Sequence, residues 1–563
     1  MSLEEGRQIV GEQDQQAIVR EFTYLLEKSK QLFNGIRDLP QFGQKQWQGY
    51  FARTFDVFTR LWRFQQQNRQ TLDACFGLKR WQIGEIASKI GQLYYQYYMR
   101  TCETGYLQEA FSFYQAVRSR SYYANVLKED RADLMVKKLR YYARFIVVCL
   151  LLPKLDVIVD LIKEMSKYVE EYVKKYESAD KDDWKLVLQE VSSFLEANSL
   201  VTVVDVNSMP VAVTHRLDTS NQPTATAAGD SPTKRKSLIL GEAFIVGNTT
   251  EQVKFSELTL DMFRMLQALE RKPTQGCIDE NSLDKNSANE DDSPVNVRNP
   301  HKFLLYKPTL LQLVNFISNG VKELHNQSVV LLYLSASGVE AQKANYEDGP
   351  YCHGGVSVKD FKHDDFTKKP PQLKETHCFY PGDLLPFTRR PMMLIVESGA
   401  SQAFSSMPRL FGQPLICLLA PRNFPSTFQD TSRTGGLLTL FLYSPLIALC
   451  YVCGIADIRF SLWEQCQKHV KKTLLHVRNL ILHSKEIDHS YIKFMDDMFL
   501  SELIVRFVFF MWVMRNHAGF KGPDFQPRCV PLLPEDDVIS NSSVQSLMLE
   551  LTLKLDVRSL FSL

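Results

Sequence analysis

The hydrophobic pattern of the first third of the chain is helical. From about residue 14 to residue 200, apolar residues return every three or four positions, which is the spacing of one face of an α-helix. Two such stripes are Trp47, Phe51, Phe55, Phe58 and Trp62, then Ile83, Ile86, Ile90, Leu93 and Tyr97. Each wide apolar face has to be buried against a neighbouring helix. The pattern therefore predicts an α-helical hairpin array over residues 14–200.

Small and aromatic residues inside this array suggest a repeat. Gly91 and Tyr94, followed by Ala110, Tyr114 and Val117, echo the pattern of a tetratricopeptide helix pair, although the two halves are farther apart than in the standard repeat. We interpret residues 14–200 as a degenerate helical-repeat domain. Such domains commonly offer an extended surface to partner proteins.

The middle of the chain, residues 201–271, is more varied. LVTVVDV (200–206) and VAV (211–213) predict short strands, and residues 218–237 form a polar linker. FSELTLDMFRMLQALER (255–271) predicts an amphipathic helix with an apolar line at Leu258, Met262, Met265 and Leu269. Residues 272–300 are locally acidic and too polar to stabilise a fold, so we expect a disordered linker there.

Residues 301–563 predict an α/β domain. Short, wholly apolar runs alternate with helical segments, as in a mostly parallel sheet that is covered on both faces. The predicted strands are 328–334, 392–396 and 414–420, and the predicted helices are 309–323, 459–484, 487–516 and 543–555. The expected fold class is mixed α and β, helix-rich, with an N-terminal helical array, a C-terminal α/β domain and flanking long helices.

An uncharged stretch at 437–454 reaches the minimum length of a membrane-spanning helix. Pro445 lies at its middle, and neither flank is strongly basic. We favour a buried strand at 437–443, ended by Ser444 and Pro445 and followed by an apolar helix. A single-pass membrane form is the disfavoured alternative.

The charge balance excludes an overall preference for nucleic acid or anionic lipid. The 563 residues include 66 Lys and Arg against 64 Asp and Glu, so any such binding depends on local clusters. Eleven cysteines are scattered along the chain, and the start has no apolar signal-peptide core. These features predict an intracellular protein with reduced thiols.

Basic residues and tyrosines alternate in four segments of the helical array. Cations beside exposed rings would form a groove for single-stranded DNA, whereas the competing reading places the tyrosines in the helix core and the cations in solvent. The second reading is the stronger. The candidate partner-binding or nucleic-acid-binding residues are Lys79, Arg80, Arg100, Arg118, Arg120, Lys137, Lys138, Arg140 and Arg144.

Two further basic clusters are candidates for recognition. Lys468, Lys471 and Lys472 share the helix at 459–484 with three histidines at seven-residue spacing, His469, His476 and His483. That spacing is too wide for one metal ion, so a basic, solvated docking face is predicted. Lys234, Arg235 and Lys236 form a short tract that is a candidate nuclear-targeting signal.

Catalytic signatures are incomplete. The loops after the predicted strands, 335–338, 397–401 and 420–422, are where a doubly wound sheet would bind a ligand. They contain neither a phosphate-binding glycine loop nor a nucleophile elbow. His353 precedes a strand as in caspases, but Gly399 stands in the cysteine position, which leaves no nucleophile. The Cys352–His353 and His377–Cys378 pairs lack the spacing of a zinc site, so no metal, no cofactor and no enzymatic activity are predicted.

Long segments carry a resemblance to a known family, among them KSKQLFNGIRDLPQFGQKQWQGYFARTFDVF, GLKRWQIGEIASKIGQLYYQYY and LFGQPLICLLAP. The chain resembles the suppressor of cancer cell invasion (SCAI) family along nearly its whole length. The resemblance implies a non-enzymatic nuclear protein, also present in the cytoplasm, that acts as a transcriptional co-repressor of myocardin-related transcription factor and serum response factor and restrains cell migration. It further implies roles in double-strand-break and crosslink repair, through DNA-repair adaptors and a translesion polymerase subunit. It supplies no catalytic residues.

Overall fold

The computed structural model describes residues 3–42, 44–176, 179–217, 238–249, 252–272, 299–339, 349–359 and 378–562. The chain forms two compact units. The described part of the first, the helical unit, lies within residues 3–188, and the α/β unit comprises the described residues of 189–272 and 299–563. The linker predicted at 218–237, with Lys234, Arg235 and Lys236, lies outside the described residues, as does nearly all of the linker predicted at 272–300.

The helical unit confirms the predicted helical array. Its helices are α1 (Leu3–Gly35), α2 (Gln44–Gln67), α3 (Arg69–Thr71), α4 (Arg80–Thr101), α5 (Thr104–Ser119), α6 (Ala132–Leu151), α7 (Leu155–Tyr176) and the start of α8 (Lys181–Asn198). Both predicted apolar stripes lie in its core or pack against that core. A Cβ atom at Gly91 would lie 2.9 Å from the Tyr114 ring, so glycine is what lets α4 and α5 approach closely there.

The α/β unit is built around a sheet that, in the described chain, has the strand order β13-β11-β10-β6-β2-β5. Strands β2, β5, β6, β10 and β11 are mutually parallel, and β13 is antiparallel to β11. These strands are β2 (Ile239–Asn248), β5 (His301–Tyr306), β6 (Ser328–Ala336), β10 (Met392–Glu397), β11 (Leu415–Leu419) and β13 (Arg528–Val530). The strand order reverses between β2 and β6, as in doubly wound folds.

Smaller pairings surround this sheet. Thr202–Val204 (β1) pairs with Asp457–Arg459 (β12), and the remaining short strands are β3 (Lys254–Phe255), β4 (Leu258–Thr259), β7 (Gly338–Val339), β8 (Gly355–Ser357) and β9 (Cys378–Phe379). The helices are α9 (Leu260–Ala268), α10 (Leu310–Glu323), α11 (Pro381–Leu384), α12 (Thr431–Thr434), α13 (Leu437–Tyr443), α14 (Pro445–Val452), α15 (Phe460–His483), α16 (His489–Phe494), α17 (Met498–Asn516) and α18 (Ser542–Lys554). The predicted mixed fold class is confirmed.

The predicted strand at 437–443 is wrong, because this segment is helix α13. A short apolar run that is buried on all sides has no periodicity that separates a strand from a helix. Ser444 then adopts an extended conformation and Pro445 opens α14, a position that suits proline because the first helical N–H has no intrahelical partner. The apolar run is therefore two short helices rather than one long one.

The helix predicted at 255–271 is shorter and more deeply buried than expected. Residues 254–259 form the β3–β4 hairpin, and Thr259 caps α9 by accepting a hydrogen bond from the Met262 N–H. Every residue of α9 is buried, including the polar Asp261, Arg264 and Gln267. The polar face that the pattern assigned to solvent therefore lies inside the α/β unit.

Two further expectations differ from the structure. The helix predicted at 487–516 is broken into α16 and α17, because Asp497 caps α17 by accepting from the Leu500 N–H at 2.9 Å and also accepts from the Leu240 N–H at 3.0 Å. Residues 211–213 form no strand; Val211 N–H donates one hydrogen bond to the Val203 carbonyl. Strand β2, which lies between β5 and β6, was not predicted.

Candidate functional sites

Hydrogen bonds bridge the strand ends of the doubly wound sheet at the point where its strand order reverses. Such folds bind ligands at the carboxyl ends of the strands where the strand order reverses, here at the ends of β2 and β6. The Asn248 amide donates to the Ser357 carbonyl at 2.7 Å, and the Ser357 N–H donates to the Ser337 carbonyl at 2.9 Å. Strand β8 is thereby bonded across the position that a ligand would occupy.

Polar side chains at the neighbouring strand ends form a buried carboxylate cluster of Asp261, Arg264, Ser335, Glu397 and Thr439. Ser335 Oγ donates to Asp261 Oδ2 at 2.8 Å. The Thr439 N–H and hydroxyl both donate to Glu397 Oε2, at 2.7 and 3.0 Å. Both carboxylates therefore accept hydrogen bonds from within the fold.

The carboxylate cluster lies against the amino terminus of α13. The Gly436 N–H donates to Asp261 Oδ1 at 2.8 Å, in the position where backbone N–H groups favour negative charge. Gly435 has a φ of +70°, and a Cβ atom at Gly436 would lie 2.2 Å from Glu397 Cδ. Two glycines in succession thus allow the chain to close over both carboxylates.

Arg264 supplies the positive charge in this cluster. Its guanidinium donates to the carbonyls of Thr434 and Ala197, the latter at 3.1 Å, while its buried Nε has no partner among the described residues. Burial lowers the pKa of Arg264 from its usual value, and Asp261 opposes that shift. Burial, reinforced by the nearby Asp261, raises the pKa of Glu397 to about 8. The cluster therefore combines one buried guanidinium with two buried carboxyl groups, and the raised pKa of Glu397 favours its protonated form.

The serines of the predicted strand-end loops have structural partners. Ser335 donates to Asp261, Ser398 Oγ accepts from the Ala400 N–H at 3.3 Å, and Ser401 Oγ donates to the Ala420 carbonyl at 2.6 Å. In the described part of the chain, none of these hydroxyls pairs with a histidine. Their hydrogen bonds hold the loops in place.

The cysteines and histidines considered as metal ligands can be compared where the structure describes them. Within the described ranges, no three His, Cys, Asp or Glu side chains are arranged to bind one metal ion. His377 lies outside those ranges. Burial raises the pKa of the Cys450 thiol above its usual value and that of Cys453 to about 12, so both are protonated at neutral pH. Of the helices described, none combines the length and the apolar character needed to cross a bilayer.

Three of the nine predicted basic residues of the helical unit form ion pairs with acidic residues on facing elements. The ion pairs are Lys79 with Glu129 at 2.5 Å, Arg118 with Glu164 at 2.6 Å and Lys137 with Glu85 at 3.1 Å. Arg100 donates to the carbonyls of Leu39 and Pro40, while Arg140 is exposed and Arg144 is half-buried. These cations do not form one continuous exposed track.

Lys138 lies in the interior of the helical unit. Its side chain is buried, and its Nζ lies 3.1 Å from the centroid of the Tyr168 ring. Burial lowers the pKa of Lys138 to about 8, and the carboxylates of Glu171 and Glu164 oppose this shift. A cation held over an aromatic face is stabilised by the ring quadrupole. Lys138 therefore does not present its charge at the surface.

Arg80 and Arg120 differ from the other predicted cations because they line a cavity. This arginine pocket has a volume of about 550 Å³ and is lined by Gln65, Gln66, Arg69, Arg80, Ile83, Arg120 and Tyr122. The end of α2, helix α3, the start of α4 and the segment after α5 supply these residues. The sequence analysis did not identify Arg69 and Tyr122, because no rule of residue spacing predicts contact between segments that far apart along the chain.

The second surface is the outer face of α15. Lys468, Lys471 and Lys472 are exposed there, beside Leu475 and Leu482, which are 52% and 39% exposed. We name these five residues the α15 stripe. Lys468 and Lys471 form no hydrogen bond or ion pair with any described residue.

The histidines of α15 point elsewhere. His469 is buried, with Nε2 lying 2.7 Å from the Leu547 carbonyl, and His476 Nε2 lies 2.6 Å from Ser543 Oγ on α18. The expected solvated face therefore contains the lysines but not His469. His469 and His476 contact different turns of α18.

The fold and the sites define a class of protein: a helical unit with a basic pocket, followed by an α/β unit whose strand ends are bridged by β8 and whose α15 stripe is exposed. Comparison with known proteins identifies the protein family within this class. The family model described as Protein SCAI matches residues 24–520. The chain belongs to the SCAI family.

Individual relatives agree with that assignment. Protein SCAI of human and of mouse are each 50% identical to this chain over 559 residues, which is 98% of this chain and 90% of each relative. The Protein SCAI homolog of Dictyostelium discoideum is 32% identical over 708 residues, covering 97% of this chain and 91% of the relative. The resemblance stated from sequence segments is thereby confirmed.

Proposed function

We propose that this chain is a non-enzymatic nuclear adaptor and transcriptional co-repressor that restrains myocardin-related transcription factor and serum response factor. In the same proposal it acts in DNA-break and crosslink repair by binding repair adaptors and a translesion polymerase subunit. Membership of the SCAI family supports a regulatory role. Lys234, Arg235 and Lys236 are the proposed nuclear-targeting residues.

The α15 stripe is the single observation that carries the adaptor proposal. Three exposed lysines beside two exposed leucines suit a partner helix with an apolar line flanked by carboxylates. The lysines would steer an acidic segment to the surface, and the leucines would bury its apolar side chains. We assign this surface to an acidic amphipathic segment of the transcription activator.

The hydrogen bonds that bridge the strand ends of the sheet also support the adaptor proposal. A ligand-binding enzyme of this fold class needs open space at the strand ends, whereas β8 and the carboxylate cluster occupy that region here. A conventional substrate would have to displace several buried hydrogen bonds, each of which is costly to leave unmade. Recognition by exposed surfaces requires no such displacement.

A reporter assay tests the proposal. The chain is expressed in cells that carry a serum-response-element reporter, and the triple variant Lys468→Glu, Lys471→Glu, Lys472→Glu is compared with the unaltered protein. We expect the unaltered protein to lower reporter output several-fold, and the variant to lose most of this repression because it repels an acidic partner.

The matched control also reverses three charges in the α/β unit. Lys322→Glu, Arg433→Glu and Lys521→Glu change three exposed residues away from the α15 stripe and should leave repression intact. Equal repression by the α15 variant at equal nuclear protein level would refute the role of the stripe. Absence of repression by the unaltered protein would refute the co-repressor proposal itself.

A further inference from the structure

The arginine pocket brings together three arginines, of which Arg69 alone is paired with a carboxylate among the described residues. Arg69, Arg80 and Arg120 line it, and no Asp or Glu does. Arg69 uses its Nε for Asp73 at 2.9 Å, whereas Arg80 and Arg120 have no carboxylate partner in the part of the chain that the structure describes. Each guanidinium carries five N–H donors in a planar fork, so most of the donor capacity is available to an anion.

The pocket is held in shape before any ligand arrives. Arg80 donates to the Arg120 carbonyl at 2.7 Å and lies 5.7 Å from the centroid of the Tyr122 ring. A Cβ atom at Gly84 would lie 2.7 Å from Tyr122 Cβ, so glycine allows Tyr122 to pack against α4. Preorganised arginines lose less conformational entropy on binding than free side chains do.

We propose that the arginine pocket binds the phosphoryl group of a phosphorylated serine or threonine in a partner protein. Clustered arginines bind phosphate through paired, charge-assisted hydrogen bonds, and a phosphorylated side chain brings nearly two negative charges to one point. A cavity of about 550 Å³ has room for that side chain and part of the flanking peptide. The inference deepens the proposed adaptor function, because it makes partner capture dependent on phosphorylation.

The surroundings favour a phosphopeptide over single-stranded DNA. A DNA strand needs a track of cations and open aromatic faces for several nucleotides. Neighbouring cations are already paired, Lys79 with Glu129 and Lys137 with Glu85. Arg80 lies over the Tyr122 ring that would otherwise stack a base. The charge is therefore local, as a single phosphoryl group requires.

A binding titration on the full chain tests this assignment. The probe is a fluorescein-labelled pool of randomised peptides with a central phosphoserine or phosphothreonine, and the matched pool lacks the phosphate. At physiological salt, we expect the phosphorylated pool to bind at least tenfold more tightly. The double variant Arg80→Ala, Arg120→Ala should weaken that binding by roughly ten- to a hundredfold, the range for losing charged hydrogen bonds.

Two further variants separate recognition from general charge and from misfolding. Arg80→Lys with Arg120→Lys keeps the charge but loses the planar fork, so it should also bind weakly. Arg37→Ala with Arg53→Ala removes two exposed arginines of the same unit and should bind normally. Circular dichroism melting curves confirm that each variant is folded.

Three results would overturn the assignment. These are equal affinity for the two peptide pools, unchanged phosphopeptide binding by the Arg80 and Arg120 variant, or loss of labelled oligothymidine binding in that variant without any phosphopeptide preference. The last result would assign the pocket to single-stranded DNA. Because the reporter assay alters only the α15 stripe, failure of the adaptor proposal and failure of the pocket assignment are distinguishable.

Discussion

Replacing Arg264 with alanine is expected to destabilise the α/β unit by about 3–5 kcal/mol, the cost of removing one partner from a buried charge cluster. The guanidinium is almost fully buried and donates to the carbonyls of Thr434 and Ala197. Its loss leaves two carbonyls unsatisfied and leaves Asp261 without a nearby cation. Hydrogen exchange of peptides covering β6 and β10, measured at increasing urea concentrations, reports this loss directly.

Arg433→Ala is the control for this prediction, since Arg433 is exposed and close in sequence to Thr434. It should shift the exchange profile by less than about 0.5 kcal/mol. Adding Asp261→Asn to Arg264→Ala should recover part of the stability, because it neutralises the stranded carboxylate. A loss as small as that of the control would show that Arg264 is not the electrostatic centre of the cluster.

Glu397→Gln is expected to change how the stability of the α/β unit depends on pH. Burial and Asp261 raise the pKa of Glu397 from 4.5 to about 8 in the folded chain. Between these values the unfolded chain releases the proton while the folded chain keeps it, so stability falls as pH rises. Glutamine resembles the protonated acid, and its amide oxygen still accepts from Thr439. The variant should therefore gain stability relative to the unaltered protein as pH rises from 5 to 8.

The linkage between proton binding and folding limits how much the free energy of unfolding can change with pH. One pKa unit corresponds to about 1.4 kcal/mol, so the difference in stability between pH 5 and pH 8 can reach several kcal/mol. Urea unfolding at a series of pH values measures it. Parallel stability curves for the variant and the unaltered protein would contradict the protonation state assigned to the cluster.

Secondary structure was predictable in segments where one spacing of apolar residues dominates. The helical unit repeats its apolar faces for well over a hundred residues, and β6, β10 and β11 are short runs that are apolar on both faces. Strand β2 was missed because Gly241, Glu242 and Gly247 interrupt its apolar run. Glu242 lies 2.6 Å from His301 on the adjacent strand, a partner that only the fold brings into contact.

The sites were less predictable than the fold. Basic composition identified Arg80, Arg120 and the lysines of α15, but not which cations remain unpaired. That outcome depends on carboxylates such as Glu85 and Glu164, which lie on facing helices. The carboxylate cluster was hidden because Asp261 and Arg264 belong to a helix whose spacing suggested a solvated polar face. Burial on all sides is a tertiary property that helical spacing cannot reveal.

The most direct test of the adaptor proposal is an isothermal calorimetric titration of the purified full chain with purified myocardin-related transcription factor. The proposal predicts that the unaltered protein binds directly with micromolar or tighter affinity. The triple variant Lys468→Glu, Lys471→Glu, Lys472→Glu should lose at least tenfold in affinity. The control variant Lys322→Glu, Arg433→Glu, Lys521→Glu should bind with unchanged affinity. Absence of binding by the folded protein, or equal binding by the two triple variants, would contradict the proposal.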